Sequence, residues 1–119
     1  MKIIIAGGRE FFDRNLLFTV MDKAFGGVTD KIEAIISGHA RGADKLGEEW
    51  ARSRGLADKL IVMAAEWEKH GKAAGPIRNV EMSLIATHVI VFWDGKSSGS
   101  RHMWMTGIEK GLWVKVVRY

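Results

Sequence analysis

The chain has 119 residues, of which 47% are hydrophobic and 27% are charged, and it contains no cysteine. These values are typical of one compact domain, predicted here to span residues 1–119. No apolar run approaches the roughly 20 residues that cross a membrane, and no signal-peptide pattern stands at the N-terminus, so we expect no membrane partner. The absence of cysteine excludes disulfide and thiolate chemistry and predicts a cytoplasmic protein.

The formal net charge is +4, and many basic side chains follow predicted strands. Such an excess is often only a solvated surface. Gathered at one edge of a sheet, however, these side chains would attract an acidic ligand, either nucleotide phosphates or nucleic acid. The basic residues in such positions are Arg9, Arg41, Lys69, Lys72, Arg78, Lys96 and Arg101.

Apolar runs alternate with amphipathic segments along the whole chain. Strands are predicted at residues 2–6, 32–37, 59–64, 89–93 and 114–117. Helices are predicted from a cap at Asp13 to about residue 25, and at 41–54, 76–86 and 101–110. This alternation predicts an α/β fold with a mainly parallel five-stranded sheet flanked by helices. Right-handed crossovers favour a Rossmann-like, doubly wound order 3-2-1-4-5, with ligands beyond the carboxyl ends of the strands.

The loop after the second strand, residues 35–44, is the centre of the functional prediction. Gly38 and Gly42 let the backbone approach a ligand closely, and the following helix directs its positive dipole end at the same place. We therefore predict a phosphate on these N–H groups, with Ser37 and Arg41 as further contacts. Asp44 either caps the helix or holds a ligand hydroxyl. The alternative is an ordinary strand-to-helix turn.

Two further strand ends repeat this pattern and are interpreted as walls of the same pocket. The first has Gly7, Gly8 and Arg9, and it is otherwise only a tight turn. The second, residues 94–100, offers small hydroxyl donors and open amides to a phosphate or ribose, and it is otherwise a surface turn. Its predicted contacts are Asp94, Gly95, Ser97, Gly99 and Ser100.

The polar connection at residues 66–75 and the start of the next helix are predicted to form a lid over the pocket. Lys72 and Arg78 bring cations to the ligand, and Trp67 stacks on a base, although a tryptophan is more often a core residue. Arg78 otherwise forms a surface ion pair. Asn79 either bonds the ligand or caps the helix.

Several other classes of site lack their patterns. The chain has neither a Walker loop nor a Gly-x-Gly-x-x-Gly fingerprint, which argues against an NTPase or a nicotinamide dehydrogenase. No Gly-x-Ser-x-Gly elbow is present. His39, His70, His88 and His102 do not have metal-ligand spacing, so no metal site is predicted. Trp104 is the best candidate for a contact in a homodimer.

Taken in chain order, these motifs resemble the SLOG superfamily, specifically its small YspA-related branch. The segments that carry the resemblance are Gly7-Gly8-Arg9 with Phe12 and Asp13, Ser37-Gly38-x-Ala40-x-Gly42-Ala43-Asp44 with Trp50-Ala51, Gly71-Lys72-x-Ala74-Gly75-Pro76-x-Arg78-Asn79 with Trp67 and Met82, and Phe92-Trp93-Asp94-Gly95-x-Ser97-x-Gly99. The resemblance implies a Rossmann-like fold that binds nucleotides or NAD-derived and ADP-ribose-like ligands. The contacts it implies are Gly7, Gly8, Arg9, Ser37, Gly38, Gly42, Asp44, Arg78, Asn79, Asp94, Gly95, Ser97 and Gly99.

Relatives within this superfamily include the lonely-guy phosphoribohydrolases and the DNA-processing protein A family. The lonely-guy enzymes use a Pro-Gly-Gly-x-Gly-Thr-x-x-Glu loop, whose glutamate supports cleavage of the ribosyl bond. Here the corresponding loop is followed by Arg101, His102 and Met103, with no carboxylate before Glu109. Glu109 is about two helical turns further on, too far to replace the missing glutamate.

Three functional hypotheses follow. The first is a single-domain protein that senses or sequesters a nucleotide-derived small molecule, without enzymatic activity. The second is a nucleotide N-glycosidic hydrolase in which Arg78 acts with a carboxylate from Asp94 or Glu81. The third is binding of single-stranded nucleic acid through the basic edge, with affinity that falls steeply as salt rises. A homodimer is expected in each case.

Overall fold

The computed structural model describes residues 1–119. Its strands are β1 (Lys2–Gly7), β2 (Ala34–Ser37), β3 (Leu60–Val62), β4 (His88–Trp93) and β5 (Trp113–Arg118). Its α-helices are α1 (Arg14–Phe25), α2 (Ala43–Ser53), α3 (Trp67–His70), α4 (Ala74–Ile85) and α5 (Ser98–Glu109). Short 3-10 turns follow at Gly26–Lys31, Ala57–Lys59 and Gly71–Ala73. None of the helices combines the length and apolar character needed to cross a membrane.

The five strands form one parallel sheet in the order β3-β2-β1-β4-β5. This confirms the predicted Rossmann-like α/β fold and its strand order. Strand β1 lies in the centre, where Ile4 is opposite Ile36 on one side and Val89 on the other. Because chain order reverses beside β1, the loops after β1 and β4 diverge and leave a crevice at their carboxyl ends.

Strand β1 sends alternate side chains into two hydrophobic cores, one on each face of the sheet. Ile3 and Ile5 pack with Trp50 of α2 in the core that α1 and α2 cover. Ile4 packs with Met82 of α4 and Met103 of α5 in the other core. All three isoleucines are fully buried, and each contributes about 2 kcal/mol of hydrophobic stabilisation. This double burial explains why the strand is apolar throughout.

Helix α1 confirms the predicted cap, since Asp13 accepts a hydrogen bond from the Leu16 N–H at 3.0 Å. Helix α2 begins at Ala43, two residues later than predicted. Gly42, immediately before it, has φ of +86°, and its backbone packs against the loop after β1. The Ala43 N–H then donates to the Gly8 carbonyl oxygen at 3.1 Å. The first turn of α2 is therefore attached to β1.

Two helices begin earlier than predicted, and β3 is shorter. Helix α4 starts at Ala74 and includes Pro76, which is tolerated because the first N–H groups of a helix have no intrahelical acceptor. Helix α5 starts at Ser98, since the Ser97 hydroxyl caps it by accepting from the Ser100 N–H at 3.3 Å. The predicted connection at 66–75 contains α3 and a 3-10 turn.

Candidate functional site

A cavity of about 610 Å³ opens at the carboxyl edge of the sheet, where the loops after β1 and β4 meet the segment from α3 to α4. This volume is within the range of small-molecule sites. Most of the predicted contacts line it, namely Gly7, Gly8, Arg9, Asp44, Trp67, Lys72, Arg78, Asn79, Asp94, Ser97, Gly99 and Ser100. Five predicted contacts do not line it, namely Ser37, Gly38, Arg41, Gly42 and Gly95.

The loop after β2 uses most of its polar groups inside the protein. Ser37 is buried, and its hydroxyl donates to Glu48 at 2.7 Å. The N–H groups of His39 and Ala40 donate to the side chains of Ser37 and Asp44, at 3.1 and 3.2 Å. Because these donors already have partners, the loop differs from the open phosphate cradle that its glycines indicated.

Gly38 lies beneath the guanidinium group of Arg78. Its carbonyl oxygen accepts a hydrogen bond from Arg78 Nη1 at 2.7 Å. A Cβ atom at this position would lie 2.5 Å from the same nitrogen and 2.8 Å from Asp44 Oδ2. The glycine is therefore needed for the close approach of the two side chains to the loop.

Asp44 is the buried carboxylate of the cavity, with 4% of its surface exposed. Burial raises its pKa to about 6, although hydrogen bonds from the Ala40 and Gly7 N–H groups and the nearby charge of Arg78 act in the opposite direction. The carboxylate does not cap α2, which has no side-chain cap. It instead presents an acceptor to the cavity, which suits a hydroxyl group of a ligand.

Arg78, Asn79 and His102 form a continuous hydrogen-bonded wall between α4 and α5. Arg78 Nε donates to Asn79 Oδ1 at 3.1 Å, and Asn79 Nδ2 is 3.2 Å from His102 Nδ1. Since an amide nitrogen only donates, His102 Nδ1 is the acceptor in this contact. Burial lowers the pKa of the Arg78 guanidinium, and the charge of Asp44 opposes that shift. The wall holds a cation against the cavity.

The loop after β4 presents the N-terminal end of α5 to the cavity. Asp94 Oδ1 accepts hydrogen bonds from the N–H groups of Lys96 and Ser97, both at 2.8 Å, which lower the pKa of the carboxyl. Ser98 and Gly99 line the cavity in the first turn, where their N–H groups have no intrahelical acceptor. The Asp94 side chain therefore shapes a loop whose free N–H groups can donate hydrogen bonds to an anion.

Gly95 shapes this loop without lining the cavity. It has φ of +87°, and the guanidinium of Arg118 packs directly on it. The same guanidinium lies 5.2 Å from the Trp93 ring centroid. Both the backbone conformation and the close packing favour glycine at this position.

Trp67 lies at the cavity edge rather than in the core, with 48% of its surface exposed. The Arg9 guanidinium stands 5.4 Å from the centre of its ring. Lys72, in the same segment, also lines the cavity. An exposed aromatic ring beside a cation can stack on a planar group while the cation contacts an anionic substituent.

The charges around the cavity are balanced, which corrects the expectation of a basic edge. Three predicted basic residues line it, namely Arg9, Lys72 and Arg78, together with three carboxylates, Glu10, Asp44 and Asp94. Arg41 does not line the cavity and forms an ion pair with Glu10. Anion attraction therefore depends on individual cations and on the α5 amides, rather than on the sum of surface charge.

Glu81, one of the two predicted catalytic carboxylates, does not line this cavity. It lies at a smaller depression of about 260 Å³ on another side of α4. Trp104, the predicted interface residue, is half-buried and packs its edge on Trp93, with ring centroids 5.6 Å apart. No group of three His, Cys, Asp or Glu side chains is arranged to hold a metal ion.

Several lining residues had no sequence signal that marked them as contacts. Tyr119 reaches the cavity because its ring packs on Phe11, 4.6 Å away, which brings its hydroxyl against Gly8. His102 lines the cavity although the sequence analysis assigns it no contact, and its position one turn into a helix that starts at a Gly-Ser loop is the signal that indicates it. The other lining residues outside the prediction are Ala6, Glu10, Ala40, Gly75, Pro76, Met82, Ser98 and Met103.

Comparisons with known proteins agree with this architecture. The family model described as the YspA, cpYpsA-related SLOG family matches residues 1–70, which include the loops after β1 and β2 and the Trp67 helix. The Gene 61 protein of Mycobacterium phage D29 is similar to this chain, with 32% identity over 121 residues that cover 93% of this chain and 91% of that protein. No solved structure matches the chain.

Proposed function

This chain belongs to the YspA, cpYpsA-related SLOG family, and we propose that its cavity binds a nucleotide or a nucleotide-derived small molecule such as ADP-ribose or NAD. Family membership supports a nucleotide-related ligand in general terms. The observation that carries the specific proposal is one cavity that combines a cation on a rigid wall, open helix amides, a buried acceptor and an exposed aromatic ring.

A phosphate group is assigned to the N-terminal end of α5. Ser98 and Gly99 offer N–H groups there, and a Cβ added to Gly99 would meet no other atom within 4 Å. In the loop after β2, in contrast, the N–H groups of His39, Ala40 and Ala43 donate to acceptors within the protein. Arg78 provides the charge that complements an anion near this helix end.

The remaining polar groups suit the other parts of such a ligand. The Asp44 carboxylate accepts hydrogen bonds and repels phosphate, so it is assigned to ribose hydroxyl groups. Trp67 is assigned to the base or another planar group. In this arrangement the phosphate end and the sugar end contact different elements, so a truncated ligand loses only part of the affinity.

The binding test is thermal unfolding with a panel of AMP, ADP-ribose and NAD, followed by titration calorimetry. A ligand at 100 times its Kd stabilises the folded state by about 2.7 kcal/mol. Arg78→Ala removes this stabilisation, whereas Lys110→Ala removes one exposed charge at the far end of α5 and leaves it unchanged. Affinity that rises with oligonucleotide length and falls steeply with salt would instead indicate single-stranded nucleic acid.

A second candidate, hydrolysis of a nucleotide N-glycosidic bond, is favoured by Asp44. A buried carboxylate with a raised pKa beside an arginine in a cleft is a common feature of catalytic sites. Asp94 is a weaker choice because its Oδ1 atom holds its own loop. Chromatography of AMP or NAD incubated with the protein separates the two proposals. Released free base that disappears in Asp44→Asn supports the enzyme, and intact nucleotide supports binding alone.

A further inference from the structure

His39 is the single non-glycine residue of the chain in the left-handed backbone region, with φ of +63°. Side chains disfavour this conformation because Cβ approaches backbone oxygen, so contacts elsewhere must maintain it. His39 follows Gly38 in the loop after β2, and it does not line the cavity. His39 can therefore influence the cavity only through other residues.

The contacts that maintain this turn converge on Glu48 of α2, a carboxylate with 1% of its surface exposed. His39 Nδ1 lies 2.8 Å from Glu48 Oε2, which also accepts from the Ser37 hydroxyl at 2.7 Å. Burial alone would raise the pKa of Glu48, but these two hydrogen bonds and the positive charge of Lys45 lower it. The carboxylate is therefore a charged, buried acceptor for the loop.

Lys45 defines the tautomer of His39. Its Nζ atom is 3.0 Å from His39 Nε2, and an ammonium group only donates. Nε2 is thus the acceptor, and Nδ1 carries the proton that it donates to Glu48. In the chain of hydrogen bonds from Lys45 through His39 to Glu48, each donor therefore faces an acceptor. This chain of hydrogen bonds joins the turn to the first two turns of α2.

The left-handed turn at His39 sets the position of the preceding residue, Gly38. The Gly38 carbonyl oxygen accepts the hydrogen bond from Arg78 Nη1 at 2.7 Å. Arg78 is held at Nε by Asn79 as well, so a shift of the loop leaves the guanidinium with one of its two protein contacts. We propose that His39 and Glu48 are positioning residues, which hold the Gly38 carbonyl so that Arg78 points into the cavity.

The first test measures Arg78 itself and needs no ligand. In an ¹H–¹⁵N spectrum, an ordered arginine gives a dispersed Nε–Hε resonance, which is assigned here by its loss in Arg78→Lys. We expect His39→Ala to move this resonance toward the position of a free arginine. His39→Gly should preserve it, because glycine adopts the left-handed conformation without support. Since His39 is exposed, both variants are expected to fold, which their Tm values check.

The second test measures ligand binding and rests on the proposed function. With ADP-ribose, His39→Ala should raise the Kd by about fivefold to thirtyfold, the range expected from losing the left-handed turn. His39→Gly should remain within about threefold of the wild-type Kd. If wild-type protein does not bind ADP-ribose, that proposed ligand is wrong, and the Arg78 resonance still decides the present proposal.

Glu48→Gln, made in the wild type and in His39→Gly, tests whether Glu48 acts on Arg78 through the left-handed turn at His39. In the wild type it weakens the support of the turn and should shift the Arg78 resonance, whereas in His39→Gly it should add nothing. An Arg78 resonance that is unchanged in His39→Ala would overturn the proposal. Equal shifts in His39→Ala and His39→Gly would overturn it as well, because the left-handed turn would then not be the link.

Discussion

The carbonyl oxygen of Gly38 and the Nη1 atom of Arg78 lie 2.7 Å apart, although 40 positions separate the two residues in the chain. This hydrogen bond joins the loop after β2 to α4 beside the cavity. A glycine in such a loop can either open the backbone to a ligand or make room for another part of the protein. Gly38 does not line the cavity; its lack of a side chain leaves room for the guanidinium group of Arg78, which does line it.

Gly38→Ala is predicted to place a methyl group against Arg78 and Asp44. We expect a loss of about 1 to 3 kcal/mol in the free energy of unfolding, the usual range for overpacking. Denaturant titration measures this value. Gly27→Ala is the matched control, because a Cβ there meets no atom within 4 Å.

The Gly38→Ala loss should be smaller in an Arg78→Ala background. Removing the guanidinium vacates the space nearest to the new methyl group, so the two substitutions share one contact. A coupling energy of at least about 0.5 kcal/mol is expected from a double-mutant cycle. Strict additivity would mean that the clash is with Asp44 alone.

Asp44 is predicted to make stability fall as pH rises from about 4 to 6. Its pKa is about 6 in the folded protein against 3.8 for the ordinary carboxyl, so the folded state binds more protons in this window. The stabilisation that protonated Asp44 gives to the folded state is complete below pH 4 and is lost above pH 6. Asp44→Asn should flatten this part of the profile and raise the free energy of unfolding at pH 7 by about 1 to 3 kcal/mol. Urea unfolding at several pH values measures both effects.

Asp22 is predicted to have the opposite pH dependence. It accepts two hydrogen bonds from Arg54, at 2.8 and 2.7 Å, and one from Trp50 Nε1 at 2.9 Å, and these contacts lower its pKa to about 2. Its stabilisation is present above pH 4 and is lost as pH falls to 2. Because Asp22 is 40% exposed, screening reduces the contribution to about 1 kcal/mol. Asp22→Asn should lose this amount at pH 7 and match the wild type near pH 2.

Trp67→Ala is predicted to weaken ADP-ribose binding without unfolding the protein. Loss of base stacking on an aromatic ring usually costs about 1 to 3 kcal/mol, while the exposed ring contributes little to the core. Trp67→Phe should recover most of the affinity, since it restores a flat ring. Calorimetry on both variants measures the difference. Equal affinities in all three proteins would remove Trp67 from the site.

The sequence by itself determined the sheet. Continuous apolar runs, glycine stops and the Asp13 cap are local signals, and right-handed crossovers leave few topologies, so strand order followed from them. The same local signals located the cavity edge, because every loop after a parallel strand emerges there. The sequence also predicted that Arg78 and Trp67 lie at this edge, and both line the cavity.

Only the tertiary structure decided which groups of those loops remain free. Whether the N–H groups near Gly38 face a ligand or a neighbouring side chain depends on Asp44 and Ser37, and on α4 packing above them. The burial that raises the pKa of Asp44 likewise comes from elements distant in the chain. Spacing in a sequence reports which residues share a loop. It does not report where each hydrogen bond is made, since that depends on contacts across the whole fold.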